Sequence, residues 1–96
     1  MLERDFQKNL IKEIKIMFPG CIVMKNDPNY IQGLPDITIL YGSKWATLEC
    51  KKSINAGKQP NQEYYIRTMD GMSFSRFICP ENREEVLNDL QQAFRA

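Results

Sequence analysis

The stretch from Pro35 to Lys51 constrains this chain more than any other. Pro35-Asp36-Ile37-Thr38-Ile39-Leu40 and Trp45-Ala46-Thr47-Leu48-Glu49-Cys50-Lys51 both read as strands. Tyr41-Gly42-Ser43-Lys44 joins them, with glycine where a tight hairpin needs positive φ. With Gly42-Ser43 as a two-residue loop, the register pairs Leu40 with Trp45, Thr38 with Thr47 and Asp36 with Glu49. Two carboxylates then face each other with Cβ atoms about 5 Å apart, an unfavourable pair unless something neutralises it. Lys51 lies two residues beyond Glu49 and shares its face, whereas Cys50 points the other way with Leu48 and Ala46. The open end of the hairpin therefore offers two acids and one ammonium. Such hard oxygen donors suit Mg²⁺ or Mn²⁺, which can polarise a phosphate and acidify a water. The plain alternative is a solvated sheet face on which Glu49 and Lys51 form a weak pair worth under about 1 kcal/mol. The stiff Gly33-Leu34-Pro35 approach, the opposed acids and the added charge of Lys52 favour a site.

The remaining elements follow from periodicity. Leu2, Phe6, Leu10, Ile11, Ile14, Met17 and Phe18 recur at helical spacing, predicting an amphipathic helix over 2–18 that Pro19-Gly20 ends. Glu3 and Gln7, one turn apart, lie beside that apolar stripe. Cys21 to Met24 reads as a strand, followed by a loop that begins at Lys25 and runs to about Leu34. Residues 55–59 form a second loop, after which Pro60 opens a helix to about Met69, stopped by Asp70-Gly71. Ser73 to Cys79 reads as a fourth strand ended by Pro80. Val86, Leu87, Leu90 and Phe94 define a last helix over 82–94, with Glu84 and Glu85 in its first turn. The expected fold is a single α/β domain over residues 1–96, order α-β-β-β-α-β-α, with a mixed sheet flanked by helices.

Composition limits the chemistry. The 96 residues contain no histidine, which excludes triads built on a histidine base and HExxH zinc sites. The three cysteines, Cys21, Cys50 and Cys79, are widely spaced without a CxxC pair and read as buried thiols of a reducing compartment. A formal net charge of +1 means that any basic surface for nucleic acid must be local. No signal-peptide pattern or membrane-length apolar run appears, so a cytoplasmic protein without a membrane partner is expected.

The motifs resemble those of the PD-(D/E)XK nuclease superfamily, and within it the virus-type replication-repair nuclease (VRR-NUC) branch. Over nearly the whole chain, the carriers are Glu3 with Gln7, the segment Gly33-Leu34-Pro35-Asp36, the E-x-K triplet Glu49-Cys50-Lys51, and Gln62 in Pro60-Asn61-Gln62. The resemblance implies a restriction-endonuclease-like core and a metal-dependent DNA endonuclease. It also implies a Mg²⁺ or Mn²⁺ ion held by Asp36, Glu49 and the Cys50 backbone carbonyl, with Glu3 as a direct or water-mediated ligand. Lys51 would position the attacking water or stabilise charge on the phosphate, and Gln62 would support the site through the lysine or the water. No small-molecule cofactor is implied. Stand-alone members of this branch resemble Holliday-junction resolvases, which implies a homodimer acting on branched DNA such as four-way junctions, a DNA-repair role, and a phage or mobile-element origin.

Lys25, Lys44, Lys52, Lys58, Arg67 and Arg76 are candidates for phosphate contacts, with Lys52 and Lys58 favoured because they flank the site in sequence. The segment Asn26 to Gln32, with Tyr30, reads either as a DNA-facing loop or as a plain connector. Tyr64, Tyr65, Trp45, Phe74 and Phe77 are expected to pack in the core or at its rim. The competing readings are a catalytically inactive nucleic-acid-binding module on the same scaffold, and an interaction domain with an acidic sheet face.

Overall fold

In a computed structural model that describes residues 2–96, the elements follow the expected order. They are α1 (Glu3–Met17), β1 (Ile22–Lys25), β2 (Ile37–Tyr41), β3 (Lys44–Cys50), α2 (Pro60–Met72), β4 (Ser75–Ile78) and α3 (Arg83–Arg95). The four strands form one mixed sheet in the order β1-β2-β3-β4, with the first two pairings antiparallel and β3-β4 parallel. The hairpin register is the one its turn demands: Leu40 opposes Trp45, Thr38 opposes Thr47, and the ladder ends at Ile37 opposite Leu48. Gly42 has φ 61° while Ser43 keeps negative φ. That pattern at the first central position is the one found in turns matched to strand twist.

Strand alternation sends Ile37 and Ile39 of β2, and Ala46, Leu48 and Cys50 of β3, to one face. There they pack against Phe6, Leu10, Ile14 and Phe18 of α1 and its end, and Val86, Leu87, Leu90 and Phe94 of α3. Phe18 anchors the turn end of the hairpin, its ring 5.3 Å from Tyr41 and 5.1 Å from Phe94. On the other face α2 packs against β4 and β3. Thr47 and Ser75, both fully buried there, hydrogen-bond each other at 2.7 Å, and Thr47 also meets Met69 Sδ at 3.7 Å. Among the described residues the aliphatic side chains Ile22, Met24 and Leu40 stay exposed.

Most boundaries shift by a single residue from the sequence expectation, so that Lys25, expected to open a loop, ends β1; three shift further. Strand β2 starts at Ile37 rather than Pro35, because proline has no N–H to offer a ladder. The second helix does not stop at Asp70-Gly71 but continues to Met72. Gly71 lacks positive φ, and Asp70 accepts from the Ser75 N–H and pairs with Arg76, so neither residue acts as a stop. The fourth strand shortens to Ser75–Ile78. Phe74 is buried, Phe77 and Trp45 are half-buried, and Tyr64 stands exposed with its ring 5.1 Å from that of Tyr65. All three cysteines are free, and no described helix is long and apolar enough to cross a membrane.

Candidate active site

The hairpin splits open where β2 begins. Continuing the ladder one step beyond Ile37 and Leu48 sets Asp36 opposite Glu49 at a non-hydrogen-bonded position, where side chains approach most closely. One step further Pro35 would face Cys50. Because Pro35 lacks an N–H, the ladder cannot continue there, and Asp36 Oδ2 instead accepts the Cys50 N–H at 2.8 Å. The N–H and carbonyl of a strand residue point to the same side, so the Cys50 carbonyl also faces the Asp36 side, without a ladder donor from Pro35. The short Pro-Asp sequence thus ends the sheet and leaves a carboxylate in its place.

Asp36 is held from both ends. Its carbonyl accepts the Asn26 N–H at 2.8 Å, and Asn26 Nδ2 donates to the Pro35 carbonyl at 2.8 Å and to Thr38 Oγ1 at 2.9 Å. Glu49 is almost fully buried, with 6% of its surface exposed. Its Oε2 accepts from Gln62 Nε2 at 3.2 Å, and Gln62 Oε1 accepts from Lys51 Nζ at 2.8 Å. The same Oε1 accepts the Gln59 N–H at 3.0 Å, as part of a reciprocal capping box at the start of α2. One amide therefore joins the acid, the ammonium and a helix terminus, which fixes its orientation. Pro60 at the first helical position sets the backbone angle that brings Gln62 inward.

Burial, followed by the charge of Asp36, pushes the Glu49 carboxyl up to about 8, with Lys51 acting in the opposite direction and Glu3 adding to the rise. Burial also raises Asp36, against the Cys50 N–H that favours its ionised form. The pair thus holds a proton at neutral pH that isolated carboxyls would release. Burial pushes the Cys50 thiol up to about 12; neighbouring Asp36, Glu49 and Glu3 add to this and a hydrogen bond from Gln7 opposes it. That thiol is an inert packing group, not a nucleophile.

These contacts bring together Asp36, Glu49, Lys51 and Gln62, four of the residues singled out in the sequence. Glu3 stands exposed in the first turn of α1. It acts on Glu49 and Cys50 through charge, and among the described residues no three His, Cys, Asp or Glu side chains form a metal-binding cluster. The oxygen set that converges is two carboxylates and the Cys50 carbonyl. It fits a hard divalent cation, because a positive charge would relieve the proton-holding acid pair and three protein oxygens leave room for water.

The lysines divide. Lys52 and Lys58 are exposed next to Lys51, and Lys58 Nζ sits 4.8 Å from the centre of the Phe77 ring. Lys25 is exposed on β1 opposite Ile37, hence on the α1 side of the sheet. Lys44 lies at the turn end, roughly 17 Å from Glu49 at the strand rise of about 3.3 Å per residue. It donates to the Ala93 carbonyl at 3.2 Å and to that of Ala96, so it serves the end of α3 rather than the site. Arg76 pairs with Asp70 and lies 4.3 Å from the Phe74 ring centre, and is likewise engaged structurally.

A cleft of about 700 Å³ opens beside Asp36 and Glu49. The loop after β1 forms one wall and the start of α2 the other. They meet at Gly33, whose φ is 92° and where an added Cβ would lie 2.6 Å from Asn61 Cγ. Asn61, Gln59 and Gln32 line this cleft. Their segments were singled out in the sequence, Gln32 in the loop read as DNA-facing or connecting and Asn61 beside Gln62, but the contact that joins them across almost thirty residues was not legible there.

Comparisons with known protein families, with curated proteins and with solved structures returned no match.

Proposed function

We propose that this chain is a Mg²⁺- or Mn²⁺-dependent DNA endonuclease of the PD-(D/E)XK superfamily, in its VRR-NUC branch, acting on branched DNA as a homodimer. The observation that carries the reading is the opposed Asp36–Glu49 pair, with Asp36 half-buried and Glu49 almost fully buried, tied to Lys51 through Gln62. Hydrolysis of a phosphodiester needs both anionic ligands and a cation beside the phosphate, and this end of the hairpin offers two carboxylates with an ammonium anchored by an amide.

Asp36, Glu49 and the Cys50 carbonyl are the oxygens that would hold the ion, with Glu3 reaching it through water. Bound there, the ion would supply Lewis acidity to the phosphate and lower the pKa of the attacking water. Gln62 Oε1 uses one of the three Lys51 donors. The others remain to orient the water or to meet charge developing on the phosphate oxygens. Gln62 is a positioning residue, since it touches Glu49 and Lys51 and not the reacting atoms. Lys52 and Lys58 neutralise the flanking backbone without reading sequence. A two-fold dimer would present two such sites to a four-way junction.

The test is a panel of labelled junction, flap, duplex and single-stranded DNAs with Mg²⁺, Mn²⁺ or EDTA, comparing wild type with Lys51→Ala. Metal-dependent cleavage that Lys51→Ala abolishes, with paired symmetric nicks in the junction, is the expected result. Salt-sensitive binding without cleavage, indifferent to metal and to Lys51→Ala, would replace this reading with that of an inactive binding module.

A further inference from the structure

Cations and amides lie on different sides of the acid pair. Lys51, Lys52 and Lys58 follow one another along the strand end and the loop that leaves it, and Lys51 and Lys58 share a small recess with Phe77. Among the described residues, the cleft of about 700 Å³ on the other side has no lysine or arginine in its lining, and the charged lining groups are Asp36 and Glu49. Its other polar side chains are amides: Asn29 and Gln32 from the loop, Gln59 at the cap of α2, and Asn61 and Gln62 from its first turn, with Gln62 Oε1 accepting from Lys51 Nζ at 2.8 Å. Leu34, Pro28 and Pro60 supply flat apolar surface. Tyr30, 80% exposed, stands on the same loop.

A groove for the sugar-phosphate backbone needs a row of cations, whereas this one is lined by amides and two acids and meets an ammonium only where Gln62 binds Lys51. Carboxamides present a donor and an acceptor side by side, the pattern that matches base edges, and Pro28, Leu34 and Pro60 offer apolar surface to a base. The space exceeds what a single base needs and resembles that of small-molecule sites. In a duplex the base faces are stacked and the Watson–Crick edges paired, so only an unpaired or extruded base can enter such a cleft.

We infer that the cleft between the Pro28–Leu34 loop and the start of α2 is a nucleobase pocket that receives an unpaired base adjoining the scissile phosphate. The inference rests on the nuclease reading for where the phosphate lies. It narrows the substrate class to strands with an unpaired nucleotide at the cut, such as a flap base or a base extruded at a junction crossover. Backbone phosphates run along Lys51, Lys52 and Lys58, and the base turns to the amide side. The approach of Gly33 to Asn61 sets the floor of the pocket.

The experiment compares oligonucleotides that carry either a normal nucleotide or a tetrahydrofuran abasic residue beside the cut, equal in backbone charge. Wild type, Gln32→Ala and Asn61→Ala are each read by cleavage in Mn²⁺ and by fluorescence-anisotropy binding in EDTA. The expected result is a preference of about tenfold for the strand that keeps its base, in line with one base's recognition by amides and stacking. In each variant that preference falls toward one. Gln32 is exposed on a loop, so its variant still reports if Asn61→Ala perturbs α2. Equal cleavage and binding of normal and abasic strands would overturn the pocket while leaving the nuclease reading in place. Loss of cleavage with a persisting, Gln32-dependent base preference in binding would sink the nuclease reading alone. Absence of both cleavage and binding would overturn the two together.

Discussion

Asp36 and Glu49 show how two residues with ordinary side chains acquire an unusual proton balance. Each raised carboxyl means that the folded chain binds more protons than the unfolded chain between the ordinary carboxyl range and about pH 8. Stability from this source is complete below that window and is lost as pH rises through it. Metal-free protein is therefore expected to melt at progressively lower temperature from about pH 5 to pH 9, and Glu49→Gln to flatten that slope. Differential scanning fluorimetry across pH, with EDTA present, reads both. A profile for wild type as flat as that of Glu49→Gln would show that the pair is not coupled as the geometry implies. In the nuclease reading, Asp36→Ala, Glu49→Ala and Lys51→Ala should each lower the cleavage rate by about 10²-fold or more while circular dichroism stays unchanged. Cleavage that survives all three substitutions would remove the site from the chemistry.

At the scale of elements, the open end of the hairpin depends on the start of α2. Gln62 completes a capping box and links Lys51 to Glu49, so its loss should be felt twice. Gln62→Ala is expected to cost about 1 kcal/mol of stability and to lower kcat more than it raises KM. Gln62→Glu, which retains an acceptor for Lys51, should recover part of the stability; chemical denaturation and steady-state kinetics separate the two effects. An unchanged kcat in Gln62→Ala would reduce it to a helix cap. Gly33 is the other hinge between elements. With positive φ and Asn61 against it, Gly33→Ala should destabilise the fold by about 1–3 kcal/mol, read as a lower urea midpoint at unchanged m value. A neutral substitution there would mean that loop and helix move apart freely.

Across the whole molecule, the two ends of the hairpin divide the work. Phe18, Tyr41 and Phe94 cluster at the turn end, where Lys44 ties down α3, and the opposite end is left open with its acids, amides and lysines. A formal net charge of +1 gives no long-range pull toward DNA, so affinity must come from the local lysine row. Lys52→Ala and Lys58→Ala are each expected to weaken DNA binding similarly for all sequences and to reduce the salt slope by about one. Titrations at several salt concentrations measure this, and a slope untouched by both would place the backbone elsewhere. The proposed homodimer should appear in light scattering as twice the chain mass, with or without DNA.

How much of this was legible in the sequence depended on the range of the interaction. The register of the hairpin followed from a two-residue turn, because a backbone turn of that length has few solutions and the side-chain period of a strand is two. Asp36, Glu49 and Lys51 could therefore be placed on one face by counting, and the helices by their apolar spacing. The true end of α2 could not, since Asp70 is satisfied by Ser75 and Arg76 beyond the helix. Nor could Lys44 be distinguished from the lysines beside the site, because its partners lie about fifty residues further along the chain. The sequence by itself determined the element order, the hairpin and its opposed acids, all products of local geometry. Only the tertiary structure decided that Gln62 joins acid to lysine, that Glu49 is buried deeply enough to keep a proton, and that Gly33 and Asn61 close a cleft. Burial and contacts between distant segments are properties of packing, and packing exists only when the whole chain has folded.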